Sequence, residues 1–356
     1  MIRFWLRFRA SLRSLLVADL VFGMVVLLSG RTSRRMACGR NLVLAGGKMQ
    51  VKDINRVGEA RKSQVAPSLS AKSVLHLGLQ GKPPFVRLAQ SPSVMILAPV
   101  GEVRSPQAEF VKEVLAAPDQ WSQSQQAHIL KDDRTSLILR LEGPEGPLVL
   151  KSYRMRKPID PVLDRMRFSR AHRSFAAAHA IAQLGFSTPF AWGCSNTLYH
   201  RWPLAAHLIT DYLDGFPTLA ELMASPACKR HPRWLAKTVR AFASWLARLH
   251  DSGIHHPDLK PVNILVQAPN LDDSAPTPND FILIDLDRVT IRSHLRPRQQ
   301  LRNLVQLHGS FQADLPWKLR LDFWQHYQAD LATPFTASFA ELESETLRWL
   351  GKRKQW

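Results

Sequence analysis

The most regular apolar and polar pattern in the chain lies in its second half. Leu235, Val239, Phe242, Leu246 and Leu249 recur at steps of three and four residues against polar Lys237, Arg240 and Arg248, which predicts a core-facing helix over Trp234–His250, ended by Gly253. A second helix is predicted from about Ser169 to Leu184, with Phe175, Ala178, Ile181, Ala182 and Leu184 as its apolar residues and Gly185 beyond its end. Phe110, Val111, Val114 and Leu115 predict a third over Pro106–Ala116, stopped by Pro118. Strand-forming runs at Ser136–Leu141 and Leu148–Tyr153 flank Gly143-Pro144-Glu145-Gly146-Pro147, so they are expected to pair as a hairpin. Leu204–Leu213 is a further apolar strand, followed by Asp214-Gly215 and a helix start at Pro217-Thr218-Leu219. Phe311–Trp356 should close the fold with amphipathic helices carrying Trp317, Leu321, Phe323, Trp324 and Tyr327.

Two stretches lack such a period. Val51–Arg104 scatters Ser, Pro, Gly and Lys and is expected to be a poorly ordered extension. Residues 1–40 are basic and apolar: Arg3, Arg7, Arg9 and Arg13 precede the run Leu15–Leu28, which contains Asp19 and is shorter than the ~20 residues of a spanning helix. A signal peptide, a membrane-surface or signal-anchor helix, and a start placed upstream of Met36, Met49 or Met95 are the three readings of this segment.

The chain has 356 residues and 45% hydrophobic content, enough for one bilobal enzyme core or two small domains. Lys and Arg outnumber Asp and Glu by 48 to 29, a formal charge of +19 that attracts polyanions without selecting which. Three cysteines, Cys38, Cys194 and Cys228, have no metal or disulfide spacing and fit a reducing compartment.

The chemistry concentrates in His255-His256-Pro257-Asp258-Leu259-Lys260-Pro261-Val262-Asn263, which runs into apolar Ile264-Leu265-Val266. A carboxylate that can accept a hydroxyl proton, a lysine two residues on and an asparagine five residues on suit phosphoryl transfer. Phe281-Ile282-Leu283-Ile284 then ends in Asp285, a carboxylate suited to a hard cation. Lys151 sits on the second strand of the hairpin, where by itself it would be read as an ordinary solvated strand residue.

His256–Asn263 resembles the H-R-D-L-K-P-x-N loop of the protein-kinase superfamily, and Ile284-Asp285-Leu286-Asp287-Arg288 resembles the I-D-F-D-R strand of the bacterial lipopolysaccharide kinases. Gly185-Phe186-Ser187-Thr188-Pro189 and Arg302-Asn303-Leu304-Val305-Gln306-Leu307 are similar to G-I-P-T-P and R-N-L-x-x-L in that family. The resemblance implies a two-lobed α+β kinase-like fold, with a small antiparallel-sheet lobe and a mainly helical lobe. It further implies ATP-dependent phosphorylation of a Kdo or heptose hydroxyl in the lipopolysaccharide inner core. Asp258 and Lys260 would be catalytic, Asn263 and Asp285 would hold Mg²⁺, and Lys151 would contact ATP, with Asp211, Tyr212 and Leu213 as hinge. Arg292, Arg296 and Arg298, followed by Arg302, would meet a phosphorylated acceptor.

Two departures from the kinase pattern stand out. No G-x-G-x-x-G precedes the hairpin, its place being taken by Lys131-Asp132-Asp133-Arg134-Thr135-Ser136. Ser174 stands where a helix glutamate would pair with Lys151, leaving Asp160 or Asp164 as the nearest replacements in sequence. A silent pseudokinase, or an atypical protein or small-molecule kinase, are the rival readings. The expected organisation is a basic apolar segment over 1–48, an extension over 49–125 with a helix near 106–117, a first lobe and hinge over 126–213, and a second lobe over 214–356. The partners implied are a lipid A-core glycolipid and an anionic inner-membrane surface, with no nucleic acid, in a cytoplasmic monomer peripheral to or anchored in that membrane.

Overall fold

In the computed structural model the described residues are 69–90, 93–97, 105–154, 168–199, 202–267, 275–311 and 315–353. The basic segment over 1–48, Asp160 and Asp164 lie outside them.

The first lobe is a seven-stranded, wholly antiparallel sheet with strand order β1-β2-β6-β7-β5-β4-β3. Its strands are β1 (Val86–Gln90), β2 (Ser93–Leu97), β3 (Ala127–Asp132), β4 (Ser136–Gly143), β5 (Gly146–Tyr153), β6 (Ala191–Tyr199) and β7 (Trp202–Asp211). The expected hairpin is β4–β5, with Lys151 opposite Ile138. Strand alternation divides the lobe into two apolar layers. Leu139, Leu141, Leu148, Leu150, Trp192 and Ile209 pack on one face under helix α2 (Pro106–Ala116), which contributes Val111, Val114 and Leu115. Tyr153, Cys194, Ala206 and Leu208 pack with the opposite layer, which includes Phe175 and Ile181 of helix α4 (Arg170–Gln183). Ser105 caps α2, and Gln107 of its first turn accepts from Glu145 N (2.9 Å) and donates to Gly146 O (3.2 Å), which clamps the β4–β5 turn.

The extension is more structured than its aperiodic sequence suggested. Residues 71–80 form helix α1 (Ala71–Gln80), capped by Ser70, and β1 and β2 add two strands to the sheet through β6. The sheet therefore begins at Val86, well before the 126 boundary expected from the sequence. A five-residue strand that docks on a partner about a hundred residues later leaves only a short local pattern, because its pairing energy comes from the distant strand.

The second lobe is mainly helical. A short helix α3 (Pro118–Trp121) precedes β3, and after β7 come α5 (Leu219–Ala224), α6 (Pro226–Arg230), α7 (Pro232–Asp251), α8 (Pro297–Phe311), α9 (Trp317–Asp330) and α10 (Phe339–Arg353). Helix α7 is the predicted amphipathic helix, and its Phe242 ring stacks on Trp245 (5.6 Å) and Phe323 (5.7 Å). Trp245 is 1% exposed, so Trp245→Ala would cost about 3–5 kcal/mol. Two small antiparallel pairs carry the chemistry-bearing loops: β9 (Ile264–Val266) with β10 (Phe281–Leu283), and β8 (Ile254–His255) with β11 (Thr290–Ile291). Gly253, at φ 73°, donates to His250 O as α7 ends; a Cβ there would lie 1.9 Å from Arg292 O.

Candidate active site

The catalytic-loop residues are fixed by backbone bonds before any ligand is considered. The amide of Asp258 donates to Nδ1 of His256 (3.3 Å), so Nε2 carries the ring proton and donates to Ile284 O (3.2 Å). Burial lowers the His256 pKa, which keeps the ring neutral and this tautomer in place. Asn303, fully buried on α8, donates to His256 O (2.6 Å) and its Oδ1 accepts from His250 Nε2 (3.3 Å), so His250 Nδ1 accepts from the Tyr327 hydroxyl (2.8 Å). Gln306 Nε2 donates to Pro257 O (2.9 Å). The loop is thus suspended from α7, α8 and α9 together.

Around that frame lie the candidate side chains. Lys260 Nζ lies 2.6 Å from Asp258 Oδ1. Asn263 Nδ2 donates to Asp258 O (2.9 Å), which leaves its amide oxygen as the outward acceptor. The β9–β10 register sets Ile264 opposite Leu283, and Ile284 N donates to Asn263 O (3.0 Å), so Asn263 and Asp285 stand at the same end of one hairpin. Asp285 has φ 60° and ψ 57°, a left-handed conformation that costs a non-glycine residue on the order of 1–2 kcal/mol and turns its carboxylate off the strand line.

From the first lobe, Lys151 reaches across 134 positions of sequence to Asp285 Oδ1 at 2.5 Å. Burial opposes the ammonium charge, but the Tyr153 and Asp285 oxygens outweigh it and hold the Lys151 pKa above its ordinary range. For Asp285, burial opposes ionisation and Lys151 outweighs it, so the carboxylate is held low. This resolves the missing helix glutamate. Ser174 is buried and bonds the Tyr153 hydroxyl (2.9 Å), while the lysine takes the carboxylate of Asp285, just past β10.

The turn in place of a glycine-rich loop is built by Asp133, whose Oδ1 accepts from Thr135 N (2.7 Å) and Ser136 N (2.9 Å). At the hinge, Asp211 N donates to Phe190 O and Tyr212 N to Pro147 O, both at 3.0 Å, and Trp192 Nε1 donates to Asp211 Oδ1 (2.7 Å). Those two amides are committed to the sheet, whereas the Leu213 amide has no partner among the described residues. The side chains of Arg292, Arg296, Arg298 and Arg302 are exposed and form no ion pair among the described residues. The first turn of α8 meets β8 through Gln299 Nε2 and His255 Nδ1 (3.4 Å), three residues before Asp258.

Sequence reasoning missed Arg170, Arg173, Tyr153 and Asp287. Arg170 Nε donates to Asp287 Oδ2 (2.6 Å) and Arg173 Nε to Asp287 O (3.0 Å). The spacing Asp285-x-Asp287 was the available signal, and it does not say what the second carboxylate would pair with.

Among the described residues no cluster of three or more His, Cys, Asp or Glu could hold a metal by itself. The Asn263 amide oxygen and the Asp285 carboxylate are the kind of oxygen donors that could hold a hard cation together with nucleotide phosphates. Nor is any described helix long and apolar enough to cross a membrane.

Residues 160–333 match the model of the lipopolysaccharide kinase (Kdo/WaaP) family. No curated protein matches the chain at a significant level. Among solved structures, one titled "WaaP in complex with acyl carrier protein" aligns at 20% identity over 69% of this chain and 96% of that one, with a TM-score of 0.45. The matched residues take in helix α4, Asp211–Leu213, the Asp258 loop and Asp285, and the chain is accordingly a phosphotransferase acting on an alcohol group, similar over just under half of its length to the lipopolysaccharide kinase (Kdo/WaaP) family.

Proposed function

We propose that the chain transfers the γ-phosphoryl group of ATP to a hydroxyl of Kdo or heptose in the inner core of lipopolysaccharide. The observation that carries this reading is the meeting of Lys151, Asp258, Lys260, Asn263 and Asp285 at the junction of the two lobes in a chain similar to the lipopolysaccharide kinases. In this reading Asp258 orients the acceptor hydroxyl and takes its proton as the phosphoryl group moves. Lys260, 2.6 Å from that carboxylate, places positive charge beside the attacking oxygen and the transferred group. Lys151 leaves Asp285 to hold the ATP phosphates, its ammonium group exchanging one anionic partner for another. Asn263 and Asp285 would hold Mg²⁺, which supplies charge neutralisation on the phosphate oxygens. Leu213 offers its amide to the adenine. Arg292, Arg296 and Arg298 meet phosphates on the glycolipid through charge-assisted bonds, and the basic chain favours an anionic membrane surface where that glycolipid is presented.

The test is incubation of purified protein with ATP, Mg²⁺ and lipopolysaccharide core oligosaccharides ending in Kdo or in heptose. The reading expects one acceptor to gain the mass of a single phosphoryl group, dependent on Asp258. Gain on neither, with ATP consumed only on a peptide or small molecule, would overturn it.

A further inference from the structure

The structure assigns Arg170 and Asp287 the role of positioning residues: their ion pair fixes helix α4 to the metal strand, and Asp287 serves this anchor rather than the cation. The inference rests on the kinase reading and names how the site is held without a helix glutamate.

Asp285 and Asp287 are two residues apart, and the left-handed turn at Asp285 sends their side chains to different partners. Asp285 meets Lys151 at 2.5 Å and is partly open. Asp287 is 5% exposed, its Oδ2 is 2.6 Å from Arg170 Nε, and its own backbone carbonyl accepts from Arg173 Nε (3.0 Å). Arg170 and Arg173 are one turn apart on α4, so two arginines grip one residue from the same helix face. A hydrated divalent cation would have to displace the Arg170 guanidinium to reach that buried carboxylate, whereas Asp285 is 36% exposed and Lys151 engages its Oδ1, leaving Oδ2 without a bond among the described residues.

Tyr153 joins the two ion pairs. Its ring lies 4.5 Å below the Arg170 guanidinium and 5.0 Å from Lys151 Nζ, and its hydroxyl bonds Ser174 of α4. The helix, the lysine strand and the metal strand are therefore tied by Lys151–Asp285, Arg170–Asp287 and the tyrosine between them. In the usual kinase arrangement the helix supplies an anion to the strand lysine. Here the helix supplies cations to the metal strand, with the charges reversed.

The experiment compares full-length wild type with Arg170→Gln, Arg170→Lys, Asp287→Asn and the double variant Arg170→Gln/Asp287→Asn. Steady-state turnover, the Mg²⁺ concentration for half-maximal rate, and hydrogen exchange of the α4 amides are measured. Loss of the anchor should lower kcat on the order of a hundredfold in either single variant, the double being no worse than the singles. Half-saturating Mg²⁺ should stay within about twofold, Arg170→Lys should recover part of kcat, and α4 exchange should accelerate in the Gln and Asn variants. A rise of about tenfold or more in half-saturating Mg²⁺ for Asp287→Asn, with Arg170→Gln unchanged, would make Asp287 a metal ligand and overturn the proposal. Should wild type turn over no acceptor, the kinase reading fails on its own, and α4 exchange still decides the anchor: unchanged exchange in Arg170→Gln overturns it.

Discussion

Lys151 Nζ and Asp285 Oδ1 lie 2.5 Å apart although 134 residues separate them in the chain. The pair bridges the two lobes and joins the residue proposed for ATP to the residue proposed for the cation.

Because the helix contributes no carboxylate to Lys151, nucleotide and metal handling should separate in mutants. Asp258→Ala and Asp285→Ala are expected to reduce turnover to background. Lys151→Ala is expected to retain measurable kcat with a KM for ATP raised about tenfold or more, having lost phosphate contacts but not the metal donors. Initial rates over an ATP series check this, and equal loss in all three variants would contradict it.

Asn303 is remote from any substrate in sequence, yet it holds His256 O at 2.6 Å and borders His250. Asn303→Leu should leave the His256 carbonyl and the His250 ring unsatisfied, at a cost of about 1–3 kcal/mol each. Turnover should fall well beyond the stability loss because Asp258 shifts with the loop. Urea unfolding alongside kcat separates the two effects.

Stability should fall on mild acidification. Burial lowers the pKa of His250 to about 3 and those of His172, His179 and His207 to about 4, from an ordinary 6.5. Below the ordinary value the unfolded chain binds protons that the native protein refuses, so the unfolded state gains. Native stability is thus complete above that value and declines as pH falls toward 4, by up to about 1.4 kcal/mol per group per pH unit. Unfolding midpoints in urea between about pH 8 and about pH 5 should be flat at the alkaline end and drop at the acidic end.

The exposed arginines make a salt-dependent prediction. Two charge-assisted contacts of about 1.5–3 kcal/mol each imply that Arg296→Ala/Arg298→Ala raises the acceptor KM tenfold or more with little change for ATP. Added salt should weaken acceptor binding in wild type and have a smaller effect in the double variant. KM series for both substrates across ionic strength test this, and a flat acceptor series would contradict a polyanionic acceptor.

Much of the frame was legible because its signals are local. The α7 stripe of Leu235, Val239, Phe242, Leu246 and Leu249, the glycine-flanked β4–β5 hairpin and the Asp258–Asn263 loop are each complete within about twenty residues. Tertiary pairing decided the rest. Val86–Leu97 became strands only because β6, about a hundred residues on, supplies their hydrogen bonds. Ser174 looked like a missing partner until the fold brought Asp285 to Lys151, and Asp287 had no role in the sequence until the fold brought Arg170 to it. Residue type and spacing fix which groups a loop can offer, but which charges meet depends on how two lobes pack, and that is a property of distant segments acting together.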